Sequence, residues 1–426
     1  MLDIKLFREN PDIVVDAVRQ RNGDTLIVEQ VIKLDTERRG TLSEVESLKN
    51  ERNRASKEIG LKKKEGKDTS EKQAEVRQLG ERIAGIDEQL RRIEVRLQTA
   101  LLKIPNIPHS STPRGKDESG NVELRKHGTP REFSFEPKSH VEIGERLGIL
   151  DLAAAAEMSG SGFPLFIGNG AKLQRALISF MLDLHTMEHG YTEIRPPLLC
   201  NSTAMTSSGQ LPKMAEDMYK VEDDELYLVP TAEVPLTNLF LNREIDRPLP
   251  LCFTAYTPCF RREAGAAGKQ TRGIIRVHQF DKVEMYKFVD PAESYNELET
   301  LLNNAEDVLV KLGLPYRVLE LCTGDISFAA AKCYDVELWA PGQNDWLEVS
   351  SCSNCEDFQA RRGGIRYRDK NRKLQYPHTL NGSGVALSRL VVAILENFQQ
   401  ADGSVTLPAA IVPYMGGVKV LKPSAG

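Results

Sequence analysis

Between Val76 and Ala100 apolar residues return at steps of three and four: Val76, Leu79, Ile83, Ile86, Leu90, Ile93, Leu97 and Ala100. That spacing is the seam of a helix lying along another helix. A more ragged version runs through Val31, Leu34, Val45, Leu48, Ala55 and Ile59, within a helix expected from about Leu26 to Lys64. The KKKEGKDTS stretch between them is polar and helix-breaking. The pattern therefore predicts an antiparallel hairpin, ~50 Å long at about 1.5 Å per residue. Two helices bury little between them, so the hairpin (about residues 26–102) is expected to project from a body as an arm.

The heptads stop at IPNIPHSSTPRGKDESGN, residues 104–121, whose prolines, glycines and polar residues mark a linker between an N-terminal domain (1–103) and a larger one (122–426). Past it, an amphipathic helix from about Ala171 to His189 precedes GYTEIRPPLL. Apolar strand-like runs then recur as far as a final helix over Ser388 to Phe398. Successive strands with helices at intervals, lacking regular βαβ alternation, predict an α+β domain. Neither G-x-G-x-x-G nor a Walker sequence occurs, so a nucleotide site would be of another kind.

The most chemically loaded stretch is residues 260–284, FRREAGAAGKQTRGIIRVHQFDKVE. Read as two strands around a basic glycine loop, it puts Arg261 and Glu263 on one face before the loop and Arg276, Phe280 and Glu284 on one face after it. Guanidinium groups suit phosphate oxygens, a ring suits a purine, and a carboxylate suits an ammonium or exocyclic amine. The loop from Ala264 to Ile275 exceeds what a hairpin turn needs, which favours a mobile substrate cover. Charge alternation alone would equally fit a solvated surface hairpin.

Composition narrows the field without choosing. At 40% hydrophobic and 27% charged the chain reads as an ordinary soluble protein, and a net charge of -5 means that any nucleic-acid surface must be a local patch. The start, MLDIKLFREN, lacks a secretory pattern and no apolar run approaches a membrane span, so a cytoplasmic protein without membrane contact is expected. The seven cysteines are scattered, as reduced thiols would be. Only Cys352 and Cys355 have metal-like spacing, and without a second pair nearby no zinc is expected.

Residues 260–284 resemble motif 2 of the class II aminoacyl-tRNA synthetases, and HTLNGSGVALSR resembles motif 3. With the helical arm and PTAEVPLTN in the same order, essentially the whole chain is similar to the bacterial-type seryl-tRNA synthetases. The resemblance implies a class II antiparallel sheet with flanking helices plus the coiled-coil hairpin. It implies ATP-dependent activation of L-serine to seryl-adenylate and transfer to tRNA(Ser), with tRNA(Sec) left open. By the same resemblance Arg261 binds the α-phosphate, Glu263 the adenine amino group and Arg276 the polyphosphate. Phe280 stacks on adenine, and Arg389 lies across its other side and reaches the γ-phosphate. Glu348 and Ser351 hold Mg2+, Val349 and Ser350 meet the nucleotide by backbone, and Arg262 and Val277 complete the ATP set. Arg261, Arg389 and Glu348 are the catalytic candidates. Serine falls to Thr231, Ala232, Glu233, Arg261, Glu284, Asn381 and Ser383. The stretch from Tyr191 to Pro197 matches motif 1, which implies a homodimer, and the arm would grip the long variable arm of the tRNA. Two positions depart from the family pattern: Gly162 stands where many relatives carry arginine, and Arg262 where serine is frequent. The competing readings are an amino-acid ligase loading a carrier protein, whose relatives lack the arm, and an inactive tRNA-binding paralogue, which would be expected to lose Arg261, Arg389 or Glu348.

Overall fold

The structure, a computed structural model, describes residues 1–264 and 273–423, and it falls into two units, Met1–Pro105 and Asn106–Gly426. In the first, short helices α1 (Ile4–Glu9) and α2 (Pro11–Gln20) precede the long pair α3 (Leu26–Lys64) and α4 (Ser70–Leu101). The Asp3 carboxylate caps α1 by accepting from the Lys5 N–H, and Pro11 opens α2 where its missing N–H costs nothing. Val28, Val31, Leu34, Val45 and Leu48 of α3 are buried, as are Ile83, Ile93, Leu97 and Ala100 of α4. Leu79 and Ile86 are only partly buried against Val45, Leu48 and Ile83. Two helices cover one seam and leave its flanks wet, so beyond Leu48 only Ala55 of α3 stays buried. The foot is thicker: Phe7, Val14 and Val18 are buried there. It also holds Asp35, 2% exposed, which accepts from Arg8 at 2.7 and 2.8 Å and pairs with Arg38 and Arg39. The Arg8 guanidinium holds the Asp35 carboxyl below its usual range. Exposed pairs such as Lys49–Asp87 and Arg82–Glu44 cross between α3 and α4, setting register more than adding stability.

The second unit is built on an eight-stranded sheet. Its strands are β1 (Val122–His127), β2 (Thr192–Glu193), β3 (Leu251–Phe260), β4 (Gln279–Val289), β5 (Tyr316–Glu320), β6 (Lys332–Ala340), β7 (Asp345–Asn354) and β8 (His378–Ala386). They lie in the order β1-β5-β6-β7-β8-β4-β3-β2, antiparallel throughout except where β2 meets β3. Its helices include α5 (Asn169–Met187), α6 (Glu233–Thr237), α7 (Ser294–Leu312), α8 (Phe358–Arg362) and α9 (Leu387–Asn397). Alternation sorts the strands. Val283 and Met285 of β4, Val336 of β6, Cys352 of β7 and Leu380 of β8 join the main core with Leu298 and Leu301 of α7 and Leu390 and Ile394 of α9. The intervening residues face the other way. There the far end is closed by a smaller core of Tyr286 and Phe288 against Ala232, Leu236 and Ala360, and the near end is left polar.

Two expectations need adjustment. The strands around the loop end at Phe260 and resume at Gln279, so Arg261, Glu263 and Arg276 lie on irregular backbone, and period-two alternation applies only to Phe280 and Glu284. Glu263 adopts a left-handed φ of 51°, which an extended strand does not permit. Residues 265–272 of the expected loop cover lie outside the described residues. The segment read as a linker is hydrogen-bonded into the second unit from Asn106 onward: Asn106 donates to the carbonyls of Ala329 and Cys355 at 2.9 Å, and Thr112 to that of Ala331 at 3.0 Å. Among the described residues no helix is long and apolar enough to cross a membrane.

Candidate active site

On the polar face of the sheet lies a cavity of about 600 Å³ whose wall includes Thr231, Glu233, Arg261, Lys282, Glu284 and Asn381. A smaller one of about 70 Å³ adjoins it, lined among others by Arg261, Arg276, Val277, Phe280, Val349 and Arg389. The two share Arg261, Glu263, Arg276, Lys282, Glu284's neighbour on the face Ser383, and Glu348. Strand register explains the convergence. Glu284 of β4 is paired with Ser383 of β8, and Asn381 of β8 with Ser353 of β7, so these side chains share a face.

Glu348 and Ser351 are three apart and would point to opposite faces of a regular strand. The β6–β7 register slips, pairing Val336 with Ser350 but Glu337 with Glu348, and the extra residue is Val349. This bulge turns both oxygen-bearing side chains into the large cavity. Val349 itself is buried and lines the smaller cavity. Ser350 turns away, its hydroxyl donating to the Ser383 carbonyl at 2.6 Å. A second slip between Ser383 and Ala386, where Val385 takes a φ of 125°, leads β8 into α9 and places Arg389 in its first turn.

Charged groups along the wall are paired with one another. Arg276 meets Glu263 at 3.4 Å, and Arg389 meets the Glu348 carboxylate at 3.5 Å while donating to the carbonyls of Glu348 and Ile275. The Arg261 guanidinium lies over the Phe280 ring, 5.2 Å from its centre, and donates to the Pro230 carbonyl at 3.2 Å. Deeper in, Lys282 is 2.5 Å from Glu284, both almost fully buried. Thr231 joins them, accepting from Lys282 at 2.9 Å and donating to Glu284 at 3.0 Å. Desolvation pushes the Glu233 carboxyl up to about 7, with the negative Glu284 adding to the effect.

Some expected residues do not reach a cavity by side chain. Ala232 packs into the smaller core, and Arg262 is exposed, with its backbone N–H donating to the Asp217 carbonyl at 2.8 Å. The Gly162 departure has a local cause. Its φ is +83°, and an added Cβ would fall 2.9 Å from Nε2 of the His278 ring, while the backbone N–H of His278 donates to the Gly162 carbonyl at 2.7 Å. Sequence reasoning passed over Lys282, although the alternation that selected Phe280 and Glu284 runs through it. It also missed Asp335, paired with Ser351 in the β6–β7 register and held well above its usual range by burial and by Glu348. A carboxylate, a hydroxyl and a second acid disfavoured in its charged form fit a hard cation such as Mg2+, which needs few protein ligands. Cys352 and Cys355 are buried and joined in no disulfide. Among the described residues no group of three or more His, Cys, Asp or Glu side chains is arranged to hold a metal ion.

The antiparallel sheet with this polar face is that of a class II aminoacyl-tRNA synthetase. Residues 219–398 match the family described as tRNA synthetase class II core domain (G, H, P, S and T), and residues 1–108 match the seryl-tRNA synthetase N-terminal domain. The chain is 54% identical to the serine–tRNA ligase of Syntrophomonas wolfei over 428 residues, covering 100% of both. Its fold is similar to the crystal structure of seryl-tRNA synthetase from Pyrococcus horikoshii complexed with ATP, with a TM-score of 0.92, 41% identity, and coverage of 99% of this chain and 100% of that one. It is also similar to the cytoplasmic serine–tRNA ligase of Naegleria fowleri in complex with AMP, with a TM-score of 0.88, 30% identity, and coverage of 100% of this chain and 99% of that one. The chain belongs to the seryl-tRNA synthetase family.

Proposed function

We propose that the chain joins L-serine to ATP as seryl-adenylate, releasing pyrophosphate, then passes the seryl group to a hydroxyl of the 3′-terminal adenosine of tRNA(Ser), releasing AMP. The carrying observation is the convergence on one sheet face of Arg261, Arg276 and Arg389 with Phe280 on one side and the Thr231–Lys282–Glu284 cluster on the other. The first group suits a nucleotide and its phosphates. The second offers a carboxylate and hydroxyl for the ammonium and hydroxyl of serine. With both held, the serine carboxylate attacks the α-phosphorus and pyrophosphate leaves; positioning and countercharge do most of the work. Arg261 neutralises charge at the α-phosphate and Arg389 secures the far end of the triphosphate. Glu348 and Ser351 would hold Mg2+, which when bound neutralises charge on the phosphates. A pocket whose polar groups match a hydroxyl rejects alanine, because those groups would be stranded.

The N-terminal hairpin, by this reading, engages the tRNA, and the active form is a cytoplasmic homodimer. Activity on tRNA(Sec) is a further proposal that charging assays with that tRNA would settle. Pyrophosphate exchange across the twenty amino acids tests the central reading: exchange with serine alone is expected, and its absence with serine would overturn the proposal. The N-terminal match over residues 1–108 argues against a carrier-loading ligase, whose relatives lack the arm.

A further inference from the structure

Gln359 on α8 is fully buried, and its side-chain amide has four partners. Nε2 donates to Oε1 of Glu233 at 2.6 Å and to the Ser208 carbonyl at 2.9 Å. Oε1 accepts from the hydroxyls of Tyr286 at 3.0 Å and Thr379 at 2.7 Å. A carboxylate and a carbonyl can only accept, so the amide has one workable orientation. Five segments meet at this side chain: α8, the start of α6 through Glu233, the end of the helix Ser202–Ser207 through Ser208, β4 through Tyr286 and β8 through Thr379. Glu233 and the Ser208–Gln210 stretch both line the large cavity. Asn381 gives the same Glu233 oxygen a second N–H at 3.1 Å. The carboxylate is therefore pinned by one edge, and Oε2 is the oxygen left to meet an ammonium.

We propose that Gln359 is a positioning residue for amino-acid recognition: a single buried amide fixes both the Glu233 carboxylate and the Ser208–Gln210 wall against the sheet. The proposal rests on the reading that Glu233 faces the serine substrate. Electrostatics run the same way. Burial and Glu284 disfavour the charged form of Glu233, whereas the Gln359 hydrogen bond favours it, helped by Lys282 and Arg261. Removing the amide would take away a hydrogen bond that offsets part of the burial cost of the Glu233 charge, so the carboxyl should rise further.

The test uses the full chain in serine-dependent pyrophosphate exchange, with KM for serine and for ATP measured separately across pH. Gln359→Met keeps the volume and removes the amide. KM for serine is expected to rise about tenfold or more, the loss of one hydrogen bond to a charged group, while KM for ATP stays within about twofold. The acidic limb of kcat/KM for serine should move to higher pH. A second variant, Tyr286→Phe with Thr379→Val, keeps Gln359 but removes the donors that orient it, and stands in if the first does not fold. It should raise KM for serine about threefold or more, again sparing ATP. Glu233→Gln separates the two levels of argument. If it raises KM for serine while both network variants leave that KM unchanged, or raise both KM values together, the role of Gln359 is overturned and the pocket reading stands. If Glu233→Gln leaves KM for serine unchanged, the pocket reading falls and the proposal with it.

Discussion

Lys282 and Glu284 sit two apart on one strand, 2.5 Å from each other and almost fully buried, so removing either group would strand the other without its nearest partner. Glu284→Gln keeps the shape and removes the carboxylate that the serine ammonium and hydroxyl would meet. Serine kcat/KM in exchange should fall by roughly 30-fold or more, about 2 kcal/mol for a hydrogen bond to a charged group; near-normal values would remove Glu284 from the pocket. For Arg261→Lys, charge survives but the planar fork, the tie to Pro230 and the contact over Phe280 do not. Exchange is expected to drop about tenfold or more with an unchanged circular dichroism melt. Glu233 supplies the pH signature. Its carboxyl is pushed up to about 7 in the free protein, so it gains charge as pH rises through that value. Serine kcat/KM should climb between about pH 6 and 8 and then level off, and the limb should vanish in Glu233→Gln. As types these side chains could be proposed from the sequence, because arginines suit phosphates and carboxylates suit ammonium groups. Lys282 was not, since a lysine among acids in a strand looks like surface charge until burial is known.

At the level of elements, periodicity carried the arm and the terminal helices to within a few residues: the structure has Ser70–Leu101 around the Val76–Ala100 seam, and Leu387–Asn397 for the helix expected over Ser388 to Phe398. Strand alternation carried less, because the site is made where alternation fails. Glu348 and Ser351 share a face only through the bulge at Val349, and Arg261 and Arg276 lie beyond the ends of β3 and β4. A bulge is a matter of pairing between strands, invisible to a one-strand pattern. Gly162 shows the same dependence on a neighbour. His278 packs where its side chain would be, and also exchanges hydrogen bonds with Arg261: Arg261 N–H donates to the His278 carbonyl, and Nδ1 lies 3.1 Å from the Arg261 carbonyl. Gly162→Ala should therefore destabilise by about 1–3 kcal/mol, through positive φ and overpacking. It should also raise KM for ATP by displacing Arg261. A melt and exchange kinetics that match the parent protein would show that His278 yields without cost.

At the scale of the molecule, division of labour follows from where the chemistry lies. Every residue lining the two cavities described above belongs to the unit Asn106–Gly426, while the hairpin belongs to Met1–Pro105. Removing all of α3 and α4 would strand α1 and α2, whose buried Phe7, Val14 and Val18 help form the foot. A cleaner cut replaces residues 53–78 with a short glycine turn. It leaves the Val45–Leu48–Ile83 packing and the Lys49–Asp87 and Arg82–Glu44 pairs in register. Serine-dependent exchange should be preserved within about twofold, since no proposed contact to serine or ATP is touched. Charging of tRNA(Ser) should fall by orders of magnitude through KM for tRNA; unchanged charging would deny the hairpin its proposed role. Mixing subunits sharpens the point. A shortened-arm chain with an intact site, paired with a full-length chain carrying Arg261→Ala, has one working site and one working arm on different subunits. Recovery of charging in purified heterodimers is expected if tRNA is held by the arm of one subunit and acylated by the site of the other. Failure to recover, with exchange intact in the same heterodimers, would place arm and site on the same chain and leave the proposal of serine activation on the sheet face standing.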